Sequence, residues 1–286
     1  MKKISIIIVT YNSIKLIKDC LDSIFEYNDI GNALNVIIAD NASNDQKELF
    51  DLLRNEYSDK SVQAFDTGEN GGYGKGNNFG IVRTDADIVI VMNPDVRFVY
   101  PIFKQILTEF KNPNLGMAGV DFIDGSCPYY FKPEYTNFYR SFFIHQYIRR
   151  RKYDPKKMYM SGSLLIFDRK SFIDAGRYDE NIFMYYEEPD ITNRIQRTGK
   201  EVIWLKDMMV EHLAHGRKYN QKLIDIGYDS YEYYCRKYGI SAKKGYLINK
   251  RILQLKIIAA KMAQDKDRLD VFENTLKSLN SHLKSL

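Results

Sequence analysis

Residues 4–13 read Ile-Ser-Ile-Ile-Ile-Val-Thr-Tyr-Asn-Ser, a largely apolar run that stops at polar side chains. The apolar part covers six residues, Ile4 to Val9. That is too short for the core of a signal peptide, and no small-residue cleavage site follows it. A β-branched run of this length is typical of a strand buried on both faces. We therefore expect a buried first strand in a protein that stays in the cytoplasm.

Similar runs recur through the first hundred residues and alternate with helical patterns. They predict strands at 36–39, 61–65 and 88–92, and helices at 15–27, 46–54 and 76–83. Strands that alternate with helices imply an α/β fold with a mostly parallel sheet covered on both faces. Ligands bind beyond the carboxyl ends of such strands. Polar clusters fall at three of these ends, at 10–13, 40–44 and 93–95, and we expect them to form one binding site.

The second half of the chain has a less regular pattern. It predicts strands at 161–167, 202–205 and 208–211, short helices at 169–175 and 189–198, and a helical region from about residue 221 that is broken near Tyr238-Gly239. No run is long and apolar enough to predict a transmembrane helix.

Composition and charge narrow the class of protein. Hydrophobic residues make up 44% and charged residues 28%, which excludes wholesale disorder. Three scattered cysteines exclude a disulfide framework and a zinc cluster, and they suit a reducing compartment. The net charge of +5 conceals an asymmetry, because residues 1–139 carry −6 and residues 140–286 carry +11. This asymmetry indicates that the second half meets an anionic partner.

A glycine-rich stretch at 70–78 is a candidate phosphate site. Its glycines lack the spacing of the dinucleotide fingerprint, and it lacks the Ser or Thr that follows Gly-Lys in a P-loop. The stretch can still bring backbone close to a phosphate, with Lys75 adding positive charge. A plain glycine turn that opens a helix explains it equally well.

Acidic motifs are candidates for chemistry. Asp95 follows a predicted strand, where a carboxylate can hold Mg²⁺ or Mn²⁺ against a diphosphate, and ordinary turn chemistry is the alternative. Glu187, Glu188 and Asp190 surround Pro189, which suits the first position of a helix. Their charge can stabilise that helix N-terminus. Alternatively, burial and mutual repulsion can raise a carboxyl pKa to suit a general base.

Two histidines lie near a predicted strand end. His212 follows the apolar residues 208–210, and His215 lies three residues further on. A histidine is most often structural, but such a pair can include a metal ligand or a contact to a diphosphate.

Seven motifs in order give the chain a family resemblance. They are residues 6–13, 38–43, 70–80, 92–95, 161–163, 183–190 and 210–212. Over roughly residues 3–216, the chain resembles the family 2 glycosyltransferases, most closely their bacterial rhamnosyltransferase-like branch. The resemblance implies a GT-A fold, a Rossmann-like mostly parallel sheet flanked by helices. It also implies inverting transfer of a sugar from a nucleoside-diphosphate donor, dTDP-rhamnose or a UDP-hexose, to a hydroxyl of a glycan acceptor in cell-surface polysaccharide synthesis.

The resemblance also implies a donor site. The residues that would contact the base and ribose are Thr10, Tyr11, Asn12 and Asp40, and those near the ribose or diphosphate are Gly72, Lys75 and Asn78. Asn41, Asn93 and Gly162 lie in the same motifs and complete the expected donor-binding set.

A metal site is implied in the same way. Asp95 matches the last acidic position of the family's DxD motif, but Asn93 replaces the first, so one carboxylate is left for a divalent cation, Mg²⁺ or Mn²⁺. His212 matches a histidine that can complete the metal or diphosphate site.

The catalytic assignment follows from the acidic motif. Glu188 matches the catalytic-base position of the family, with Glu in place of the commoner Asp. It would remove the acceptor proton during in-line attack. Glu187 and Asp190 are expected to hold acceptor hydroxyls or to tune Glu188, and which of the two glutamates is the base stays open at this point.

These assignments divide the chain. We expect a GT-A domain at 1–216, with a donor-binding half to about residue 100 and an acceptor and catalytic half at 101–216, followed by a basic helical extension at 217–286. The extension can dock on an anionic membrane that carries a lipid-linked glycan, which would make the protein peripheral on the inner face of the membrane. It can also pair with a second subunit, and a basic patch on a solvated helix is the plain alternative.

Two other functions stay open from the sequence. A sugar nucleotidyltransferase also uses an α/β nucleotide fold, but it normally has a glycine-rich, basic loop directly after its first strand, where this chain has residues 10–13. A non-catalytic protein that binds an anionic polymer would use the basic second half. That function leaves the acidic triplet and the three polar clusters without a role, so we expect no nucleic acid partner.

Overall fold

The computed structural model describes residues 2–213 and 220–286. His215 and the expected domain boundary at 216 therefore lie outside the described residues. Within those residues, no helix is both long and apolar enough to cross a membrane. The described residues form two compact units, the first made of residues 2–129, 159–183 and 187–213, the second of residues 130–158, 184–186 and 220–286.

The first unit begins with alternating strands and helices, as the sequence predicts. They are β1 (Ile4–Thr10), α1 (Ile14–Glu26), β2 (Leu34–Asp40), α2 (Gln46–Glu56), β3 (Val62–Asp66), α3 (Tyr73–Ile81) and β4 (Ile88–Met92). The elements that follow in the chain are β5 (Val96–Arg97), α4 (Phe103–Glu109), β6 (Leu115–Phe122), β7 (Tyr129–Phe131), α5 (Phe138–Phe142), α6 (Ile144–Arg149), β8 (Met158–Met160), β9 (Leu164–Asp168), α7 (Arg169–Asp174), α8 (Glu187–Arg197) and β10 (Glu201–His212). Of these, α5 and α6 belong to the second unit.

An eight-stranded sheet forms the centre of the first unit. Its strand order is β3-β2-β1-β4-β9-β6-β10-β5. The pairs among β3, β2, β1 and β4 are parallel, as is the β6–β10 pair. In contrast, β9 runs antiparallel to β4 and β6, and β5 runs antiparallel to β10. The predicted mostly parallel sheet flanked by helices is therefore confirmed.

Both faces of β1 are covered, which explains its uninterrupted apolar run. Ile6 belongs to a core cluster that also contains Ile17 and Leu21 of α1. Ile7 points to the other face, where Gly80 of α3 packs so closely that a Cβ there would lie 2.5 Å from its side chain. Strands buried on two sides select β-branched residues throughout.

Several predicted boundaries are corrected by the structure. The helix predicted at 189–198 begins at Glu187, so Pro189 is its third residue and not its first. Pro189 is tolerated there because the N–H groups of a first helical turn have no partner in the helix. The strand predicted at 161–167 begins only at Leu164, and the two strands predicted at 202–205 and 208–211 form one strand, β10, with a register shift between Leu205 and Met209.

The second unit contains three long helices. They are α9 (Gln221–Tyr238), α10 (Ala242–Met262) and α11 (Lys266–Ser285). The side chains of Asn220, Ser241 and Asp265 cap their N-termini by accepting a backbone N–H three residues on. Gly239 ends α9 at a φ of 64°, near the predicted break. The second break was not predicted, because Gln264 reaches a φ of 55° without a glycine or proline.

Candidate active site

The carboxyl ends of β1, β2 and β4 lie side by side. Thr10 pairs with Asp40 in the β1–β2 register, and Ile8 pairs with Met92 in the β1–β4 register. The polar clusters at 10–13, 40–44 and 93–95 are therefore neighbours along one edge of the sheet. Their predicted convergence is confirmed, at the place where open α/β sheets bind ligands.

The Asp40 carboxylate is fully buried and organises this edge. It accepts hydrogen bonds from Thr10 Oγ1 at 2.8 Å, from the Ser43 N–H at 2.9 Å, from Ser43 Oγ at 2.6 Å and from Gln46 Nε2 at 2.9 Å. These donors offset the cost of burying the carboxylate. Asp40 and Thr10 thus hold the 40–44 loop in shape, and a contact of either with a nucleotide base stays a prediction.

Asn12 joins the first two polar clusters. Its φ is 53°, in a region that asparagine enters more easily than most residues. Its N–H donates to Ser43 Oγ at 2.8 Å, and its Oδ1 accepts the Asn44 N–H at 2.9 Å. Tyr11, beside it, is 50% exposed and offers a ring that can stack on a planar group.

The glycine-rich loop is held against the second cluster. Asn41 Nδ2 donates to the Gly72 carbonyl at 3.0 Å. Gly72 has a φ of 90°, and a Cβ there would lie 2.1 Å from the Phe183 carbonyl oxygen. The next N–H, of Tyr73, donates to that same carbonyl at 2.8 Å. Only glycine fits between these contacts, so Gly72 brings backbone to the site as expected of this motif.

The helix α3, which begins directly after Gly72, contains Lys75 and Asn78, and the two side chains have different surroundings. Lys75 is exposed and ion-paired with Glu69, whose carboxylate raises the Lys75 pKa by accepting a hydrogen bond. Asn78 is buried, accepts the Tyr178 N–H at 3.0 Å, and donates to the Tyr178 carbonyl at 2.9 Å and to Glu180 Oε1 at 3.0 Å. Asn78 therefore fastens α3 to residues 178–180, and donor contacts of both side chains stay predictions.

Asp95 and His212 form the second group of the candidate site. Asp95 Oδ1 lies 3.6 Å from His212 Nε2, and both side chains are largely buried. The pairing of β5 with β10 sets this distance, since His212 is in register with Val96, next to Asp95. The structure thus brings together the two expected metal ligands.

This pair fits a small divalent cation. Two ligand atoms about 2.1 Å from one ion stand about 3 to 4 Å apart, a range that includes the observed separation. Across residues 2–213 and 220–286, no group of three or more His, Cys, Asp or Glu side chains could hold a metal ion. A cation at Asp95 and His212 would therefore take its other ligands from a diphosphate and water, as Mg²⁺ and Mn²⁺ do.

A single turn at residues 161–163 links this pair to the acidic motif. Ser163 Oγ lies 3.3 Å from His212 Nε2, and the Ser163 carbonyl accepts the Asn93 N–H at 3.0 Å. The Gly162 N–H donates to the Glu188 carboxylate, which lowers the Glu188 pKa. A Cβ on Gly162 would lie 2.2 Å from Glu188 Oε1, so glycine is required for this approach.

Two glutamates begin α8, of which Glu187 is buried and Glu188 is half-buried. Glu187 is 3% exposed, and within the described part of the chain its Oε2 has no hydrogen-bond partner. Burial, followed by the charge of Glu188, raises the Glu187 pKa well above its usual range. Burial also raises the Glu188 pKa to about 7, against the opposing effect of the Glu188 and Gly162 N–H groups. Both shifts favour the protonated carboxyl, and a pKa of about 7 lets Glu188 release or accept a proton near neutral pH.

The backbone before α8 is strained. Tyr185 and Tyr186 have φ angles of 71° and 69°, a region that bulky residues rarely enter. Such strain is concentrated at functional sites, where the surrounding structure enforces it. Tyr185 and Tyr186 directly precede α8 and its two glutamates in the chain.

Asp190 has a different environment from the two glutamates. It is fully buried, and its Oδ2 accepts hydrogen bonds from Arg194 Nε at 2.9 Å and Arg194 Nη2 at 2.7 Å. Arg194 Nη1 also donates to the Ala175 carbonyl at 2.6 Å. The carboxylate of Asp190 adds to the electrostatic effect that raises the Glu187 pKa. A contact of Asp190 with acceptor hydroxyls stays a prediction.

Sequence reasoning missed three residues of this region. Tyr73 donates its hydroxyl to the Gly162 carbonyl at 2.8 Å, Ser163 contacts His212, and Arg194 holds Asp190. The i,i+4 spacing of Asp190 and Arg194 was a readable signal for an ion pair in a helix. Tyr73 and Ser163 lie within quoted motifs, but nothing in their spacing indicates their partners.

Comparisons with known proteins identify the family of this chain. Residues 5–176 match the sequence model of the family described as glycosyl transferase family 2. A hexosyltransferase of low-salt glycan biosynthesis, Agl10 of Haloferax volcanii, is 26% identical over 239 residues, covering 80% of this chain and 72% of the relative. An N-acetylglucosaminyl-diphospho-decaprenol L-rhamnosyltransferase of Mycobacterium tuberculosis is 26% identical over 228 residues, covering 64% and 67%.

A solved structure shares the fold. The mannosyltransferase PcManGT from Pyrobaculum calidifontis, in complex with GDP-Man and Mn²⁺, aligns with a TM-score of 0.60 at 15% identity, covering 99% of this chain and 74% of that one. The family model matches more than half of the chain, so the chain belongs to glycosyl transferase family 2. Its sheet flanked by helices is the GT-A fold, and the chain is a glycosyltransferase. This membership favours sugar transfer over nucleotidyl transfer and over non-catalytic polymer binding.

Proposed function

We propose that the protein is an inverting glycosyltransferase that moves a sugar from a nucleoside diphosphate to a hydroxyl of a glycan acceptor. The acceptor oxygen attacks the anomeric carbon on the side opposite the diphosphate. The new carbon–oxygen bond forms as the bond to the diphosphate breaks, and that electron pair leaves with the diphosphate. Glu188 accepts the proton of the acceptor hydroxyl, which balances the reaction.

One observation carries this proposal: Glu188 is half-buried, desolvation raises its carboxyl pKa to about 7, and the carboxylate accepts the Gly162 N–H. A general base is most effective when its pKa lies near the working pH. The neighbouring Ser163 contacts His212, so the same turn holds the proposed base and the proposed diphosphate site. In-line attack requires such a fixed geometry between the base and the leaving group.

The two glutamates take different roles in the proposal. Burial and the charge of Glu188 raise the Glu187 pKa well above its usual range, which favours the protonated form that can donate a hydrogen bond to an acceptor oxygen. Glu188 is partly ionised and takes the proton. Two titratable groups whose environments separate their pKa values commonly divide acid and base roles in this way.

Donor binding is assigned to the edge formed by β1, β2 and β4. The base and ribose would meet the loops at 10–13 and 40–44, and the diphosphate would meet Gly72, Asp95 and His212. A bound divalent cation would supply positive charge against the charge that develops on the diphosphate. The presence of Mn²⁺ with PcManGT supports a cation at this site. We propose dTDP-rhamnose or a UDP-hexose as the donor.

The acceptor is proposed to be a lipid-linked glycan. The M. tuberculosis relative carries a diphospho-decaprenol in its name, and the H. volcanii relative is named for glycan biosynthesis. We therefore propose a place in bacterial cell-surface polysaccharide synthesis, with the protein peripheral on the inner face of a membrane. Pairing of the C-terminal helices with a second subunit stays a prediction.

Substitution of each glutamate by glutamine tests the assignment of the base. Glu188→Gln should bind the donor normally but transfer sugar about 10²–10⁴-fold more slowly, the usual scale of general-base catalysis. Glu187→Gln should keep a larger part of the activity, because glutamine resembles the protonated acid. Donor binding is read by thermal shift with dTDP, UDP and GDP sugars plus Mn²⁺, and transfer is read by product formation.

The matched control is Glu48→Gln, an exposed glutamate in the first turn of α2. Its transfer rate should equal that of the native chain. Near-normal transfer by Glu188→Gln would contradict the assigned base, and stabilisation by GDP sugars alone would contradict the proposed donors.

A further inference from the structure

We infer that α10 lies on an anionic lipid bilayer and carries the membrane-docking face of the second unit. This inference rests on the proposed function, because it identifies the surface through which a lipid-linked acceptor would be approached. The evidence comes from three features of the second unit: an exposed apolar stripe, a surplus of positive charge and an apolar groove.

The first feature is that α10 has two apolar faces. Tyr246 and Ala260 are buried within the unit. A second set of apolar side chains is exposed along the helix, including Ile258 at 54% and Met262 at 82%; the full set, here called the outward stripe, is Leu247, Leu255, Ile258 and Met262. At 3.6 residues per turn, these four fall within about 80° of one another, so they form one continuous line. A line of exposed apolar side chains indicates a binding surface.

The second feature is the charge of α10. The helix holds six basic residues and no acidic one: Lys243, Lys244, Lys250, Arg251, Lys256 and Lys261. Lys244 and Arg251 fall within the arc of the outward stripe, and both are exposed. Apolar side chains with lysine and arginine around them are typical of helices that lie in the plane of an anionic membrane surface.

The third feature is a groove along the outward stripe. It has a volume of about 770 Å³ and is lined by apolar side chains that include Leu255, Ile258 and Leu276 of α11. Arg251 and Lys261 also line it, and Lys261 contacts Glu273 at 3.1 Å. Such a groove can take an acyl chain while the two cations meet phosphate headgroups.

Exposed aromatic side chains also lie on and directly after α5, a helix that packs against α10. Tyr139, Phe142 and Phe143 are exposed, and the basic residues 149–152 follow them in the chain. Aromatic and basic side chains together mark the level of lipid headgroups. A second copy of this face would meet like charges, and a purely anionic polymer would not use the apolar stripe, so the bilayer is the occupant we favour.

Vesicle flotation tests this inference directly. Purified full-length protein, without donor, is mixed with phosphatidylcholine vesicles that contain 0–40% phosphatidylglycerol. We expect binding that increases with the anionic fraction and decreases with added salt. The double substitution Lys244→Gln/Arg251→Gln should weaken binding about 10- to 30-fold, since each basic residue near the surface contributes about fivefold. Ile258→Gln/Met262→Gln should weaken it about tenfold or more by removing apolar contact with lipid.

Matched control variants show whether vesicle binding depends on this particular surface or on the total charge and hydrophobicity of the protein. Lys47→Gln/Lys111→Gln removes the same charge from exposed sites of the first unit, and Val82→Gln/Ile173→Gln removes exposed apolar side chains there. Both should bind vesicles like the native chain. The inference would be overturned if the stripe variants and the control variants lost vesicle binding equally. It would also be overturned if the native chain did not bind vesicles with 40% anionic lipid at low salt.

Sugar-transfer and sedimentation measurements distinguish failure of the docking surface from failure of the proposed function. Sugar transfer to a short water-soluble acceptor should be unchanged in the stripe variants, because none of these residues belongs to the candidate active site. If the native chain transferred sugar but did not bind vesicles, the docking surface alone would be overturned; if it bound vesicles but did not transfer sugar, the proposed function alone would be contradicted. A dimer in sedimentation that Ile258→Gln/Met262→Gln dissociates would identify the stripe as a subunit interface and overturn the inference.

Discussion

Glu187 and Glu188 are neighbours in the chain, but their surroundings give their carboxyl groups different chemistry. The Glu188 carboxylate accepts the Gly162 N–H, whereas Glu187 has a buried oxygen without a partner in the described residues. A hydrogen bond to the charged form favours ionisation, and burial opposes it. The ionisation of Glu188 therefore depends on a turn whose Gly162 lies 26 residues earlier in the sequence.

Gly162→Ala tests the importance of that turn. Its Cβ would lie 2.2 Å from Glu188 Oε1, so the carboxylate must move away from the Gly162 N–H. We expect a fall in kcat of about 10²-fold with little change in donor binding, since a displacement of about 1 Å at a catalytic group can have such an effect. Gly227→Ala in α9, where a Cβ meets only ordinary contacts, is the control. An unchanged kcat in Gly162→Ala would show that this contact does not position the base.

At the scale of helices and strands, the sequence predicts those elements whose formation depends on a local pattern of apolar and polar residues. The strands β1, β2 and β4 are uninterrupted apolar runs, so they and the polar clusters at their ends could be predicted. The strand β6 was missed because Gly116 and Gly119 interrupt its apolar run, although Met160 packs where a Cβ on Gly119 would be. The antiparallel β9 and the Asp95–His212 contact depend on long-range strand pairing, which no local pattern records.

The ion pair inside α8 gives a prediction at this scale. Asp190 is fully buried against Arg194, so Arg194→Ala would leave a carboxylate buried without its cation. We expect a loss of about 3–5 kcal/mol in the free energy of unfolding, measured by urea denaturation. Arg197→Ala, at an exposed position of the last turn, should cost less than about 1 kcal/mol. Equal losses in the two variants would contradict a structural role for the Asp190–Arg194 pair.

At the scale of the whole molecule, we propose different functions for the acidic and the basic half of the sequence. The acidic residues 1–139 contain most of the proposed donor site, and the basic residues 140–286 contain the two glutamates of the candidate active site and the proposed docking helix α10. A raised carboxyl pKa at the candidate active site also makes the free energy of unfolding depend on pH. A carboxyl pKa that is raised in the folded state favours folding at low pH, and the favourable contribution is lost as pH increases through the folded pKa.

Glu188→Gln should therefore change the pH dependence of stability. For the native chain, the free energy of unfolding should decrease between about pH 4.5 and pH 7, where ionisation of Glu188 becomes costly. The variant should be more stable than the native chain at pH 8, by on the order of 3 kcal/mol, and nearly equal to it at pH 4.5. Urea unfolding at both pH values measures this, with Glu48→Gln as a control that should differ at neither. A variant less stable than the native chain at pH 8 would contradict a Glu188 pKa that is raised by desolvation in the folded protein.

The pH dependence of kcat/KM for sugar transfer tests the central claim most directly, because it reports the pKa of the essential base in the free enzyme. A base at Glu188 with a pKa of about 7 must be ionised to act. The account predicts that kcat/KM increases about tenfold per pH unit below pH 7 and levels off above it. A profile that is flat from pH 5 to pH 8 would contradict the assignment of Glu188 as the base.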